Sequence, residues 1–388
     1  MAIGHHGEVT TRRKGRSRFD PILMRLLAKA DPTLTEEQIN KAIQDTAEAV
    51  GKAISGNLRE RSRSMLIDHA SIRAGFEIRL RDIWGEALDA LYAVYVVATE
   101  SAEEYFHRSR DEAVAENDVV WEALLRVHAR ACHVASEIQA LLRSGHAEGA
   151  QARWRTLHEL NVVASFLSEH DDALATRYLE HEAITSWRDA EHYQTHAARL
   201  ENEPFSGEEM AEMKADHDRL VAKYGRDYAR DWGWAIGAMK GPLGFATVER
   251  ATNLSHWRPF YRDANAALHA GSRRLSYRLG VEDAMRVWLT GPSNAGLDDP
   301  GISTSISLTM ATVTTILYRP SMDDLISARA LMELSDDADA AFRAGAAEYD
   351  RRVAEEDKHA ARLARRRDRY RERREAESSR SGPRIRKP

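Results

Sequence analysis

Two stretches of this chain set cationic, proton-transferring and hydrogen-bonding side chains at helical spacing. In Arg153-Trp154-Arg155-Thr156-Leu157-His158-Glu159-Leu160, Arg155 and Glu159 are one helical turn apart and share a face. The apolar neighbours Val162, Val163, Phe166 and Leu167 predict that this pair is partly buried. In Tyr261-Arg262-Asp263-Ala264-Asn265-Ala266-Ala267-Leu268-His269, the residues Tyr261, Asn265 and His269 form a polar stripe at i, i+4 and i+8. Arg262 lies two turns before His269 and is also near it. Histidine titrates near neutral pH and arginine is a permanent fork for phosphate or carboxylate, so the second stretch could move a proton beside a held anion. A second reading needs no reaction. Buried polar groups require partners, and Arg155 with Glu159 could supply them to Tyr261 and His269 as a closed clasp.

Other catalytic signatures are missing or badly placed. Gly51-Lys52 lacks the upstream glycine and the following Ser or Thr of a phosphate loop, and no G-x-G-x-x-G occurs. A carboxylate-bridged di-metal bundle would need two Glu-x-x-His turns on core helices. The two present are Glu104/His107, at a helix end, and Glu356/His359, in a polar tail. His192 and His196 are one turn apart, but Glu191, Gln194 and Arg199 beside them describe a solvated face. With one cysteine, Cys132, neither an internal disulfide nor a cysteine-built zinc site can form. No metal or cofactor is therefore implied, and a reducing cytoplasm is the expected compartment.

The elements that must position these side chains are helices. Thr35 and Gln38 fit a capping box, after which Ile39, Ile43, Val50, Ile54 and Leu58 recur at helical spacing. Further helices are predicted over about 71–108, 118–144, 147–168, 172–200, 207–223, 226–240, 256–278, 281–290, 303–318 and 321–374. Gly145 is a natural stop and Ser206 with Glu209 a second capping box. Ile302–Leu317 is rich in Ser, Thr and Val and so could be a strand, but Ile302, Ile306, Met310, Val313 and Leu317 share a helical face. The cluster of Pro, Gly and Asp over 291–301 reads as an ordered loop. The expectation is an all-α protein, a single large multi-helix bundle with a long charged C-terminal helix. Its parts would be a basic N-terminal arm (1–30), a helical domain (31–354) and a basic C-terminal helix and tail (355–388).

At 388 residues, 43% apolar and 30% charged, the chain has ample mass for a packed core. Its longest nearly unbroken apolar run, Ala90–Ala98, is far short of the roughly 20 residues that cross a bilayer, so no membrane partner is expected. Charge is uneven. Residues 358–388 hold thirteen Lys or Arg against four Asp or Glu, a net of +9, which leaves −14 for the rest of a chain of net charge −5. Arg12, Arg13 and Lys14, with Arg16 and Arg18, form a second basic cluster. Both ends, including Arg365, Arg366 and Arg367, could grip RNA or another polyanion through phosphate contacts, or remain solvated. Aromatic residues for base stacking are scarce there, only Phe19 and Tyr370.

Arg155-Thr156-Leu157-His158-Glu159, followed about a hundred residues later by Tyr261-x3-Asn265-x3-His269, resembles a bacterial domain-of-unknown-function family, the one numbered 5677. Asn265 stands where the family pattern usually has serine, so a role for that hydroxyl does not carry over. The resemblance covers about 120–320 and implies an all-helical domain of undetermined activity. Arg262-Asp263-x5-His269 also resembles the motif of HEPN ribonucleases, helical proteins that often act in phage defence or toxin systems. That resemblance implies metal-free chemistry, in which histidine moves a proton and arginine steadies the scissile phosphate while the RNA's own 2′-hydroxyl attacks. Arg126-x6-His133 in this same chain has the same spacing, which makes the pattern cheap.

Two function classes stay open at this point, and whether the chain is an enzyme with them. One is a non-catalytic scaffold or adaptor, binding nucleic acid, a protein partner or further copies of itself, in which Arg155, Glu159, Tyr261 and His269 close a buried clasp. The other is a metal-independent ribonuclease with Arg262 and His269 catalytic, Arg155, Glu159, Tyr261 and Asn265 orienting them, and the basic termini holding RNA.

Overall fold

A computed structural model describes residues 33, 35–268 and 290–380 of the chain. Every regular element among them is helical. In chain order they are α1 (Glu36–Glu116), α2 (Val119–Arg143), α3 (Ala147–Ser168), α4 (Asp172–His196), α5 (Gly207–Tyr224), α6 (Phe245–Ala251), α7 (Arg258–Leu268), α8 (Asp298–Ile316) and α9 (Met322–Arg380). The chain divides into two units, Met1–Gly75 and Phe76–Pro388, and α1 runs through both.

Local chemistry sets the helix ends. The Thr35 hydroxyl accepts from the Gln38 amide at 3.3 Å while Gln38 Oε1 accepts from the Thr35 amide at 2.9 Å, closing the capping box that starts α1. Ser206 and Glu209 do the same for α5. Asp118 caps α2 by accepting from the Trp121 amide at 2.8 Å. Gly145 ends α2 with φ +74°, and an added Cβ would sit 2.6 Å from the Phe76 ring, so glycine is required on both counts.

The larger unit is organised around α8, which packs against α2, α3 and α9. Its burial pattern reverses ordinary amphipathicity. Ser303, Thr304, Ser305, Ser307, Thr309, Thr312 and Thr315 are buried, whereas Ile302, Ile306, Met310, Val313 and Leu317 are only half-buried. The hydroxyls are tolerated because Thr304, Thr312 and Thr315 donate to carbonyls four residues back at 2.6–2.9 Å, and because small side chains admit close helix approach. The same tightness appears at Gly301, where a Cβ would lie 2.2 Å from the Phe342 ring of α9. Two tryptophans pin the frame: Trp84 Nε1 donates to Asn294 O at 2.8 Å, and Trp154 Nε1 to Ser303 O and Ser307 Oγ at 2.9 Å.

Three expectations change. The separate helices read at 39–58 and 71–108 are one continuous helix, α1. Residues 226–240 are not a helix but two 3-10 turns, Arg226–Ala229 and Gly233–Ala235, with Trp232 between them at φ +62°. Side chains of α4 take the carbonyls that a helix would have used: His181 Nε2 donates to Tyr228 O and Arg230 O at 3.1 Å, and Arg177 to Ile236 O at 2.6 Å and Gly233 O at 3.3 Å. The short α6 was not anticipated at all. The helices expected over 281–290 and beyond Leu268 in 256–278 fall outside the described residues. At the other end of the chain α9 leaves the core: Phe342 is fully buried, Arg352 and Val353 half-buried, and 354–359 exposed.

Candidate functional site

The two polar stretches do meet. Helix α3 presents Arg155, His158 and Glu159, and α7 lies against it with Tyr261. Arg155 pairs with Glu159 Oε1 at 2.9 Å, with about a quarter of each side chain exposed (29% and 25%). Tyr261 donates its hydroxyl to the same oxygen at 2.5 Å, and the Arg155 guanidinium stands 5.0 Å from the centre of the Tyr261 ring. Burial raises the Tyr261 phenol above its ordinary range, and the hydrogen bond to the Glu159 carboxylate adds to that, so Tyr261 stays protonated as a donor.

Behind this triad lies a second one, which the sequence reading did not assign. His158 Nε2 is 2.9 Å from Glu249 Oε1, and both side chains are buried to within 1% of completely. The Arg258 guanidinium lies against the other oxygen, Glu249 Oε2. Burial pushes the His158 pKa down, opposed by its bond to Glu249. A neutral imidazole facing a carboxylate must carry its proton on Nε2, which leaves Nδ1 buried without a hydrogen-bond partner.

Aromatic rings join the two triads. His158 stacks on Trp154 with centroids 5.3 Å apart and meets Tyr261 and Phe245 at 5.9 Å. Arg258 sits 5.3 Å from the centres of both the Phe245 and Tyr261 rings. The result is a closed knot across α3, α6 and α7 in which two arginines and two glutamates balance in charge. Each charged group has an oppositely charged partner inside the protein, which is how ionic groups are held away from water.

The remaining candidates are not drawn into this knot. Asn265 is half-buried one turn beyond Tyr261, and Arg262 is exposed. His269 lies outside the described residues, as do Arg12, Arg13 and Lys14. Arg365, Arg366 and Arg367 are exposed on α9. His192 and His196 are exposed with rings 5.4 Å apart, and Glu104, His107, Glu356 and His359 are exposed too. No group of three or more His, Cys, Asp or Glu among the described residues could hold a metal ion. Arg126 and His133, the second instance of the ribonuclease spacing, are each paired with a glutamate on their own helix, Glu122 and Glu137.

A cleft of about 370 Å³ opens elsewhere on the larger unit, between α2, α4 and the turn at Trp234. Arg126, Arg130, Tyr178, His181, Glu182 and Trp234 line it, and none of the six knot residues does.

Glu249 and Arg258 carry a weak sequence signal. Glu249 sits in a helix of seven residues, too short for its periodicity to stand out, and Arg258 is the first residue of the next helix, so no shared helical face links the two. His158 was in view between Arg155 and Glu159, but only the packing of α6 shows that it points to a different carboxylate.

Residues 122–286 match the model of a family of unknown function, DUF5677. The match runs from α2 to past the end of α7 and so contains the whole knot. No curated protein and no solved structure matches this chain. No helix among the described residues is long and apolar enough to cross a membrane.

Proposed function

We propose that this chain is a non-catalytic helical adaptor in which the Arg155–Glu159–Tyr261 and His158–Glu249–Arg258 groups are a structural clasp, and the basic C-terminal part of α9 is the grip for RNA or another polyanion. The observation that carries the reading is the complete burial of the Glu249 carboxylate between His158 and Arg258. A general acid or base must reach the proton that it moves, directly or through one water. His158 Nε2 and Glu249 Oε1 instead bond each other inside the core, and the Tyr261 hydroxyl is engaged as a donor to Glu159.

The grip rests on charge and exposure together. Arg365, Arg366, Arg367 and Arg369 are exposed on α9, as are residues 361–363 and 368, in a stretch of net +9. Phosphate contacts of this kind give affinity without sequence selectivity, and each one released by mutation lowers the salt dependence of binding. The test is a titration of the full chain with labelled single-stranded RNA at several salt concentrations. Replacing Arg365, Arg366 and Arg367 by Gln should flatten the slope of log K against log salt by about 2. A slope unchanged by the triple substitution overturns the grip.

The alternative is a metal-independent ribonuclease using Arg262 and His269, of the kind found in phage-defence and toxin systems. One observation favours it: Arg262 is exposed on α7, where a scissile phosphate could reach it.

A further inference from the structure

The cleft between α2, α4 and the turn at Trp234 has opposite charges on two of its walls, and they do not neutralise each other. Arg126 and Arg130 line it from α2, and Glu182 lines it from α4. Arg130 and Glu182 are exposed, and neither side chain forms an ion pair or a hydrogen bond among the described residues. Glu137, the carboxylate that feels the Arg130 charge, is already bonded to Arg153 and His133. Arg126 holds only Glu122 of its own helix, an exposed pair of the kind that contributes little.

The two helices set these charges side by side. Asp172, the first residue of α4, accepts from the Val119 and Val120 amides that open α2 at 2.9 and 3.0 Å, so the helices start together. Arg130 is eleven residues beyond Val119 and Glu182 ten beyond Asp172, which is about 15–16 Å along each axis. Axes of packed helices are about 8–10 Å apart, so a ligand that joins the two charges must be short. An α-amino acid is such a ligand, since its ammonium nitrogen and carboxylate carbon are bonded to one Cα and lie only about 2.5 Å apart.

The rest of the lining is largely apolar. Leu160 and Leu179 are half-buried there, and Trp234 is buried with its ring centre 4.9 Å from that of Tyr178 in an edge-to-face contact. The Tyr178 hydroxyl, which burial keeps protonated, has no hydrogen-bond partner among the described residues. A volume of about 370 Å³ lies at the lower end of the range for small-molecule sites.

We propose that this cleft binds a free α-amino acid with an apolar side chain, its carboxylate on Arg130 beside Arg126, its ammonium on Glu182 and its side chain against Leu160, Leu179 and Trp234. The site uses neither the clasp nor α9, so it stands independently of the adaptor reading.

Isothermal titration calorimetry of the full chain tests it with L-phenylalanine and L-leucine, and with N-acetyl-L-phenylalanine and L-phenylalanine amide, which lack the cationic and the anionic end in turn. The two amino acids should bind in the micromolar range, and each derivative at least tenfold more weakly than L-phenylalanine. Glu182→Gln should weaken L-phenylalanine about tenfold yet leave the N-acetyl derivative unchanged, because the contact that it removes is already missing there. Arg130→Gln should weaken L-phenylalanine likewise and spare the amide. Both side chains are exposed, so neither change should move the melting transition. Absence of binding by both amino acids, binding that survives both substitutions, or derivatives that bind as tightly as L-phenylalanine would each overturn the proposal. So would guanosine monophosphate or inorganic phosphate binding more tightly than L-phenylalanine and indifferently to Glu182→Gln, which would mark a plain anion site.

Discussion

Glu249 is the residue whose loss the clasp should tolerate least. Glu249→Gln keeps an oxygen to accept from His158 Nε2 and nearly keeps the volume, but it removes the charge that faces Arg258. Breaking a fully buried ion pair typically costs about 3–5 kcal/mol, because the surviving charge is left uncompensated. Here the surviving charge has an escape, since 28% of the Arg258 side chain is exposed, so the expected loss is smaller, about 2 kcal/mol. Glu249→Ala also strands the buried His158 donor, which adds about 1–3 kcal/mol. Urea unfolding followed by far-UV circular dichroism would give both values, with the midpoint falling and its slope constant. The ordering is the point of the test: Ala worse than Gln, and Gln worse than wild type. Should Glu249→Gln unfold within about 0.5 kcal/mol of wild type, the range of ordinary surface substitutions, the buried clasp would not be holding α6 to α3.

Further outcomes follow from the same geometry. Glu159→Ala removes the acceptor of the Tyr261 hydroxyl and the partner of Arg155, and a double-mutant cycle between Arg155 and Glu159 should return a coupling of about 0.5–3 kcal/mol; a cycle that closes to zero would mean that they do not act as a unit. Burial lowers the His128 pKa to about 4 in the folded protein, while the unfolded chain binds that proton near the ordinary value. The unfolded state therefore holds more protons between these values, and stability is lost as pH falls, by about 2 kcal/mol from pH 7 to pH 5 from this group. His128→Gln, which can still bond to Thr312, should show a correspondingly flatter decline in denaturant midpoint over that range, and an identical decline in both proteins would refute the assignment. Deleting residues 358–388 should weaken RNA binding without moving the main melting transition, because α9 makes no buried contact beyond Val353 among the side chains described; a lower melting temperature would show that the tail braces the core.

The sequence was most legible where chemistry and periodicity coincide. Arg155 and Glu159 are one turn apart on a helix with a clear apolar face, and Tyr261 begins a polar stripe among alanines, so their meeting could be anticipated. Thr35 with Gln38 and Ser206 with Glu209 announce helix starts because capping depends on a few neighbouring atoms. Long-range substitution of hydrogen bonds is what periodicity misses. Residues 226–240 have a composition suited to helix, yet Arg177 and His181 on α4 claim their carbonyls, and that competition is invisible until α4 is placed beside them. Glu249 is hidden for a related reason: seven residues of helix carry too few turns to show a face. The reversed burial of α8 was equally hidden, since hydroxyls bonded to their own backbone behave as small apolar side chains, which composition alone does not reveal.

The adaptor reading is tested most directly by incubating the purified full chain with end-labelled single-stranded RNA, with and without chelator, and analysing both bound fraction and product ends. The reading predicts intact RNA, bound in a salt-dependent manner through the basic part of α9, and no difference between wild type, Arg262→Ala and His269→Ala in RNA integrity. Cyclic-phosphate products that form in the presence of chelator with the wild type, and are lost in both Arg262→Ala and His269→Ala while their melting temperatures hold, would contradict it and establish the ribonuclease.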